Sequence, residues 1–206
     1  MKKNIVITAA LLASALTLSG CGGSEPELTG VQVEPATGDT TTASAVPTAT
    51  KAPRSPRGAL MKKVGEPSRI LVKEGSDDWA VNFTVTDIQL DPQCTSPQAE
   101  PSENGHLIAI SVEAATAPEP IFSEVVGSLT FNAHSWKVIA ANGTTVNTVV
   151  SNASSYCLTP AEHIPAMIGA AEKVVGKVVL DVPDATGTLV YSNGGGTGWE
   201  WEYGAK

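Results

Sequence analysis

The sequence predicts an all-β fold, an antiparallel sandwich of about seven or eight short strands behind a disordered linker, and three observations carry that expectation. From about residue 65 apolar residues recur with period two, the spacing of strands that bury one face. Clusters of Gly, Pro, Asn and Ser punctuate the apolar runs at regular intervals. No long run of helical periodicity competes.

The chain opens differently. Residues 1–20 read as a secretory signal: Lys2 and Lys3 give the positive start, Ile5 to Leu18 the apolar stretch, and Ser19 and Gly20 the small residues before the cut. A spanning helix wants roughly 20 apolar residues, and this shorter run is broken by Gly20, Cys21, Gly22 and Gly23. Leu18-Ser19-Gly20-Cys21 resembles the lipobox of bacterial lipoproteins at every position, which implies a lipid on the Cys21 thiol. Each buried methylene of such a lipid contributes about 0.8 kcal/mol, so two acyl chains hold at a bilayer where one does not. The expected location is the extracytoplasmic side of the cell membrane, with the membrane contacted through Cys21.

Residues 21–64 read as a linker. Gly, Ser, Thr, Pro and Ala dominate to about residue 58, as in Thr40 to Thr48, and offer too little large apolar surface to offset ordering entropy. A flexible coil of that length displays a domain roughly 35 Å from the bilayer on average. Its end is basic: Lys51, Arg54, Arg57, Lys62, Lys63, Arg69 and Lys73 face the single acid Glu66. Anionic lipid or wall polymer is one expected contact of these cations, at roughly 1 kcal/mol each near a surface, and a solvated linker is the other reading. From Glu74 onward only Lys137, Lys173, Lys177 and Lys206 stand among the acids, and the whole chain carries 13 basic and 21 acidic side chains. An acidic domain lacks the basic footprint that nucleic acid requires.

Residues 65–206 form the expected sandwich domain. Trp79, Val81, Phe83 and Val85 share one face, and Ile88 and Leu90 fall on the opposite parity, which predicts a bulge near Thr86-Asp87. Ile108, Ile110, Val112 and Ala114 alternate in the next strand, followed by Leu129 to Phe131 and Trp136 to Ala140. Asn142-Gly143 is a strong hairpin signal, with Thr144 to Val150 as the returning strand. Residues 151–173 hold Cys157, Pro160 and Pro165 and allow one or two helical turns around Ala161 to Ala171. Strands are then expected over Val178 to Val182, Thr188 to Ser192 and Trp199 to Tyr203, the last two joined across Gly194 to Gly198. With Cys21 consumed by lipid, Cys94 and Cys157 remain as a pair in an oxidising compartment, and a disulfide between them would add about 4 kcal/mol.

Gly176-Lys177-Val178-Val179-Leu180-Asp181-Val182-Pro183, then Gly187-Thr188-Leu189-Val190-Tyr191 and Gly198-Trp199-Glu200-Trp201, resemble a known family. These motifs are similar to those of the telokin-like, immunoglobulin-like domains of unknown function in actinobacterial and other Gram-positive lipoproteins, related in fold to a secreted mycobacterial antigen. The resemblance covers roughly residues 75 to 203 and implies an immunoglobulin-like sandwich outside the cell, with no catalytic residues to transfer. Residues 151–173 are longer than the turn the family places there.

Motifs for chemistry are sparse, and no catalytic residue, metal site or cofactor is assigned. The Gly194 to Gly198 loop lacks the following helix and Lys of a phosphate cradle and reads as a hairpin connection. Glu200 and Glu202 invite comparison with a glycosidase pair but read better as neighbours on a solvated strand face. His106, His134 and His163 show no zinc spacing, and Asp77-Asp78 and Asp181 to Asp184 provide too few oxygens for a calcium loop. Among Trp79, Trp136, Trp199 and Trp201, about three are expected in the core and one at the surface. Trp199, Trp201 and Tyr203 mark the candidate binding surface. The sequence thus supports an extracytoplasmic binding module for a protein or wall polymer. A wall-active hydrolase using exposed carboxylates and a passive structural or antigenic surface protein are the alternatives.

Overall fold

Side-chain alternation along the strands sets two apolar faces against each other. The computed structural model describes residues 53–194 and 198–204. Cys21 with the expected lipobox, the expected linker as far as residue 52, and positions 195–197 of the glycine loop lie outside the described residues.

Eight strands are present among the described residues: β1 (Leu60–Met61), β2 (Pro67–Leu71), β3 (Trp79–Leu90), β4 (His106–Thr116), β5 (Trp136–Ala140), β6 (Lys173–Val182), β7 (Gly187–Tyr191) and β8 (Trp199–Tyr203). Two short helices interrupt them, α1 (Ile121–Val125) and α2 (Asn152–Tyr156). One sheet runs β2-β3-β4-β6 and the other β1-β8-β7-β5, so the fold is an all-β sandwich. All pairings are antiparallel except that of β1 with β8.

The expected bulge is present. The register of β3 on β4 shifts between Val85 and Asp87, so Val85 pairs with Val112 while Ile88 and Leu90 pair with Ile110 and Ile108. The extra residue restores the inward parity that breaks along the sequence at Thr86-Asp87. Between the sheets lies an aromatic centre. Phe83 sits 4.9 Å from Trp199, 5.1 Å from Phe131 and 5.3 Å from Tyr191, ring centre to ring centre. Burial pushes the Tyr191 phenol far up in pKa, and its hydroxyl donates to the Thr130 carbonyl at 2.9 Å.

The domain begins earlier than residue 65. Residues 53–64, expected as the basic end of the linker, pack on the sandwich: Leu60 N–H donates to Gly198 O at 2.9 Å and Lys62 N–H to Glu200 O at 2.8 Å. Leu60 is fully buried. A strand of two residues has no readable period, so composition alone placed it in the linker.

Three expected elements also differ. Leu129 to Phe131 make one bridge, Leu129 to Ile168, rather than a strand. The helical turn in 151–173 forms at Asn152–Tyr156, not around Ala161 to Ala171. Ser151 caps it, accepting from Ser154 N–H while Ser154 Oγ accepts from Ser151 N–H, whereas Pro160 and Pro165 withhold donors downstream. The Asn142-Gly143 turn forms with Gly143 at φ 87°, but Thr144 to Val150 is not a full return strand. It bridges β5 only at Ile139 and Thr145 and then crosses to the other sheet, where Val149 O accepts from Asp181 N–H at 2.9 Å.

Candidate functional site

The residues expected to form a binding surface are in the core. Trp199, Trp201 and Tyr203 are 1%, 1% and 3% exposed. Strand β8 lies between β1 and β7, and its alternation sends these three rings into the layer between the sheets. Burial, then the charge of Asp184, pushes the Tyr203 phenol up to about 12. The indole Nε1 atoms of Trp199 and Trp201 are buried without a hydrogen-bond partner. Trp136 is buried as well, its Nε1 donating to Phe131 O at 3.2 Å, and Trp79 is half-buried. The aromatic patch expected at the surface is therefore not there.

Glu200 and Glu202 part company too. Glu200 faces away from the aromatic layer but is only 4% exposed, because Arg57 lies across it with Nε 2.7 Å from Oε1 and Nη2 2.9 Å from Oε2. The hydrogen bonds to Glu200 raise the Arg57 pKa further, against the opposing effect of burial. Glu202 remains exposed. The expected pair of solvated carboxylates is thus one clamped ion pair and one free surface acid. Nothing local marks Arg57 as the partner of Glu200, because it lies 143 residues away in a run that reads as linker.

Cys94 and Cys157 are joined, 63 residues apart, with Cα atoms 4.6 Å apart. The bridge ties the loop after β3 to the end of α2. Together with Ala153 and Leu158 it covers Leu107, Ala109 and Val179 on the outer face of the four-stranded β2-β3-β4-β6 sheet, making a second, smaller core. Two carboxylates hold this cap. Glu162 accepts from the hydroxyls of Thr95 and Thr159 and from Thr159 N–H, and these bonds, Thr95 foremost, keep its carboxyl below the usual range. Asp181, on β6, is fully buried. Its Oδ1 accepts from Ser102 Oγ at 2.5 Å and Asn104 N–H at 3.1 Å, and its Oδ2 from Ser151 Oγ at 2.6 Å and Glu103 N–H at 2.8 Å. Burial pushes this carboxyl up, but the four donors outweigh it and hold it below its usual value. Asp181 is structural, with both oxygens taken by the protein itself.

His106 Nδ1 lies 2.8 Å from Asp91 Oδ2 on the surface. Among the described residues, no three or more His, Cys, Asp or Glu side chains group as a metal would require.

A concavity does exist, at a place the sequence did not mark. It is a half-open groove of about 390 Å³ beside β5, lined by His134, Trp136, Lys137 and residues 145–150. It arises because the chain after Thr145 peels away from β5 toward β6, leaving a wedge between the two sheet edges. Lys137 and His134 are exposed, and the lining contains no carboxylate and no cysteine. The signal in the sequence is weak: Lys137 stands next to a hairpin whose returning arm has little alternation.

No family model matches the chain, and no curated protein matches it in sequence. Among solved structures, the chain is similar to the YjhA protein of Bacillus subtilis, at 19% identity and a TM-score of 0.37, over 64% of this chain and 80% of that one. It is also similar to YcdA of Bacillus subtilis, described as a candidate lipoprotein, at 12% identity and a TM-score of 0.38. That match covers 64% of this chain and 38% of YcdA, so the chain spans well under half of it.

Proposed function

We propose that this chain is a lipid-anchored, extracytoplasmic lipoprotein whose immunoglobulin-like domain, of the telokin-like type, binds a protein or wall-polymer partner. The observation that supports the binding reading is the groove beside β5, of about 390 Å³, whose lining holds no carboxylate. The hydrolase alternative is weakened because Glu200, its favoured carboxylate, lies beneath Arg57. Anchoring rests on the Leu18-Ser19-Gly20-Cys21 motif. No helix among the described residues is long and apolar enough to cross a membrane.

Two measurements test the reading. Cells fed an alkyne fatty acid should incorporate label into the mature chain, and Cys21→Ala should abolish the label and release the protein from membranes. An unlabelled wild-type chain, or one equally membrane-bound after the substitution, refutes the anchor. Incubation with purified cell-wall fragments should give no cleavage; turnover lost on Glu200→Gln would overturn the binding reading in favour of a hydrolase.

A further inference from the structure

We propose that the β1 edge of the domain is a membrane-docking surface, where Arg54, Lys62 and Lys63 meet anionic lipid headgroups while Met61 and Val64 enter the interface beside them. The inference rests on the lipid-anchor reading and adds to it which part of the domain lies against the bilayer.

Residues 53–64 carry four cations, Arg54, Arg57, Lys62 and Lys63, and no acid. Folding turns that run into one edge. Pro53 O accepts from Met61 N–H at 3.0 Å and Arg54 bridges Leu60, so the chain doubles back and sets Arg54 beside the start of β1. Past the end of β1, Lys62 Nζ donates to Pro67 O at 2.5 Å, and Lys63 opens a turn closed by Glu66 N–H on Lys63 O at 3.1 Å. The cations therefore hold fixed positions on the sandwich. Of the acids on β8, on β2 and in this turn, Glu200 is held by Arg57, Glu66 accepts from Lys63 N–H at 3.0 Å, and Glu202 is exposed. Arg54, Lys62 and Lys63 remain in excess.

Apolar exposure names the medium. Leu60 points into the core, so Met61 points out, and it is 45% exposed. Val64 is 45% exposed as well, at the tip of the turn whose next residue, Gly65, has φ 87°. Turn tips in water favour Gly, Pro, Asn, Asp and Ser, and a valine there gains nothing from solvent. Met61-Lys62-Lys63-Val64 combines apolar groups for the acyl boundary with charges for the headgroups, the pairing by which interfacial segments bind anionic lipid. A soluble polyanion would use the cations and leave Met61 and Val64 in water.

Position and field point the same way. The described domain begins at Pro53, on this edge, with positions 22–52 between it and Cys21. A tether of that length sets an effective concentration of order millimolar, so a weak contact is enough to hold one orientation. From Glu74 onward sixteen acids face four bases, so an anionic bilayer repels the rest of the domain and draws the β1 edge toward itself.

The test uses the mature chain purified from envelopes and placed in nanodiscs of neutral lipid or of about one-third anionic lipid, each with a trace of lipid carrying a gadolinium chelate on its headgroup. In anionic discs the amide resonances of Met61 to Gly65 should broaden at least about threefold more than in neutral discs, while those of Val175 and Lys177 on β6 should not respond to lipid charge. About 1 M salt should remove the difference in the unaltered chain, as should changing Arg54, Lys62 and Lys63 together to Gln. Met61→Ser with Val64→Ser, which keeps every charge, should weaken the broadening at least about twofold. Broadening indifferent to lipid charge and to salt, or equal at β1 and β6, overturns the proposal. So does a serine pair with no effect, or a soluble poly(glycerol phosphate) that shifts Met61 to Gly65 where anionic discs do not, an outcome that assigns the edge to wall polymer. Intact mass reports the anchor separately. A lipid-modified chain whose β1 edge ignores lipid charge keeps the anchor and overturns the docking surface; an unmodified chain whose Met61 to Gly65 amides still broaden in anionic discs keeps the surface and overturns the anchor.

Discussion

Replacing Asp181 by Asn removes a charge without changing shape, and the structure fixes what that costs. Each carboxylate oxygen accepts one hydroxyl and one backbone N–H: Ser102 and Asn104 at Oδ1, Ser151 and Glu103 at Oδ2. The hydroxyls can rotate to accept from an amide. The backbone N–H groups cannot, so whichever way the Asn amide sits, its NH2 faces one stranded donor. A stranded buried donor costs about 1–3 kcal/mol, and the remaining bonds lose their charge assistance. We expect a total near 3 kcal/mol, or about 6–12 °C in Tm for a domain of this size. The pH dependence has a definite sign. Because the folded carboxyl lies below its ordinary value of 3.8, its contribution is fully present above that value and fades as pH falls through the folded pKa. Urea unfolding of wild type and Asp181→Asn, followed by circular dichroism, should therefore show a gap at about pH 7 that narrows at about pH 3. A variant within about 0.5 kcal/mol of wild type at neutral pH, or a gap indifferent to pH, would refute the assignment of Asp181 as the latch of the cap.

The other two stability predictions concern the ends of the domain. Arg57→Ala should cost about 1–3 kcal/mol by urea unfolding, since it removes both charge-assisted hydrogen bonds to Glu200 and the side chain that covers it, and Glu200→Gln should cost a similar amount; a silent Arg57→Ala would mean that residues 53–64 are a loose linker after all. Converting Cys94 and Cys157 together to Ala should cost about 4 kcal/mol and speed amide exchange at Leu107, Ala109 and Val179, where no faster exchange would show that the cap folds independently of the bridge.

Much of the fold was readable because strands with one buried face advertise it. The parity change after Val85 located the bulge, and Asn142-Gly143 located a turn with φ 87° at Gly143. The disulfide followed from elimination, since two cysteines of three were left to pair. Reading failed where the local pattern was short or shared. Leu60–Met61 is too brief to show alternation, so its pairing with β8, and with it Arg57 over Glu200, was hidden in a basic run. Trp199, Trp201 and Tyr203 share a face, but nothing local says whether the neighbours of β8 turn that face to partner or to core.

By itself the sequence pointed to a sandwich with one cross-link, an acidic balance and a lipobox-like motif, because period, composition and cysteine count are properties of neighbours along the chain. Only the tertiary structure decided which carboxylate is clamped and which is latched. Those outcomes depend on segments far apart in sequence meeting: Arg57 with Glu200, Ser102 and Ser151 with Asp181, and Asn147 to Val150 diverging from β5 to open the groove. Neighbours brought together by the fold either satisfy a side chain, as Arg57 does Glu200, or leave it facing solvent, as they do Lys137.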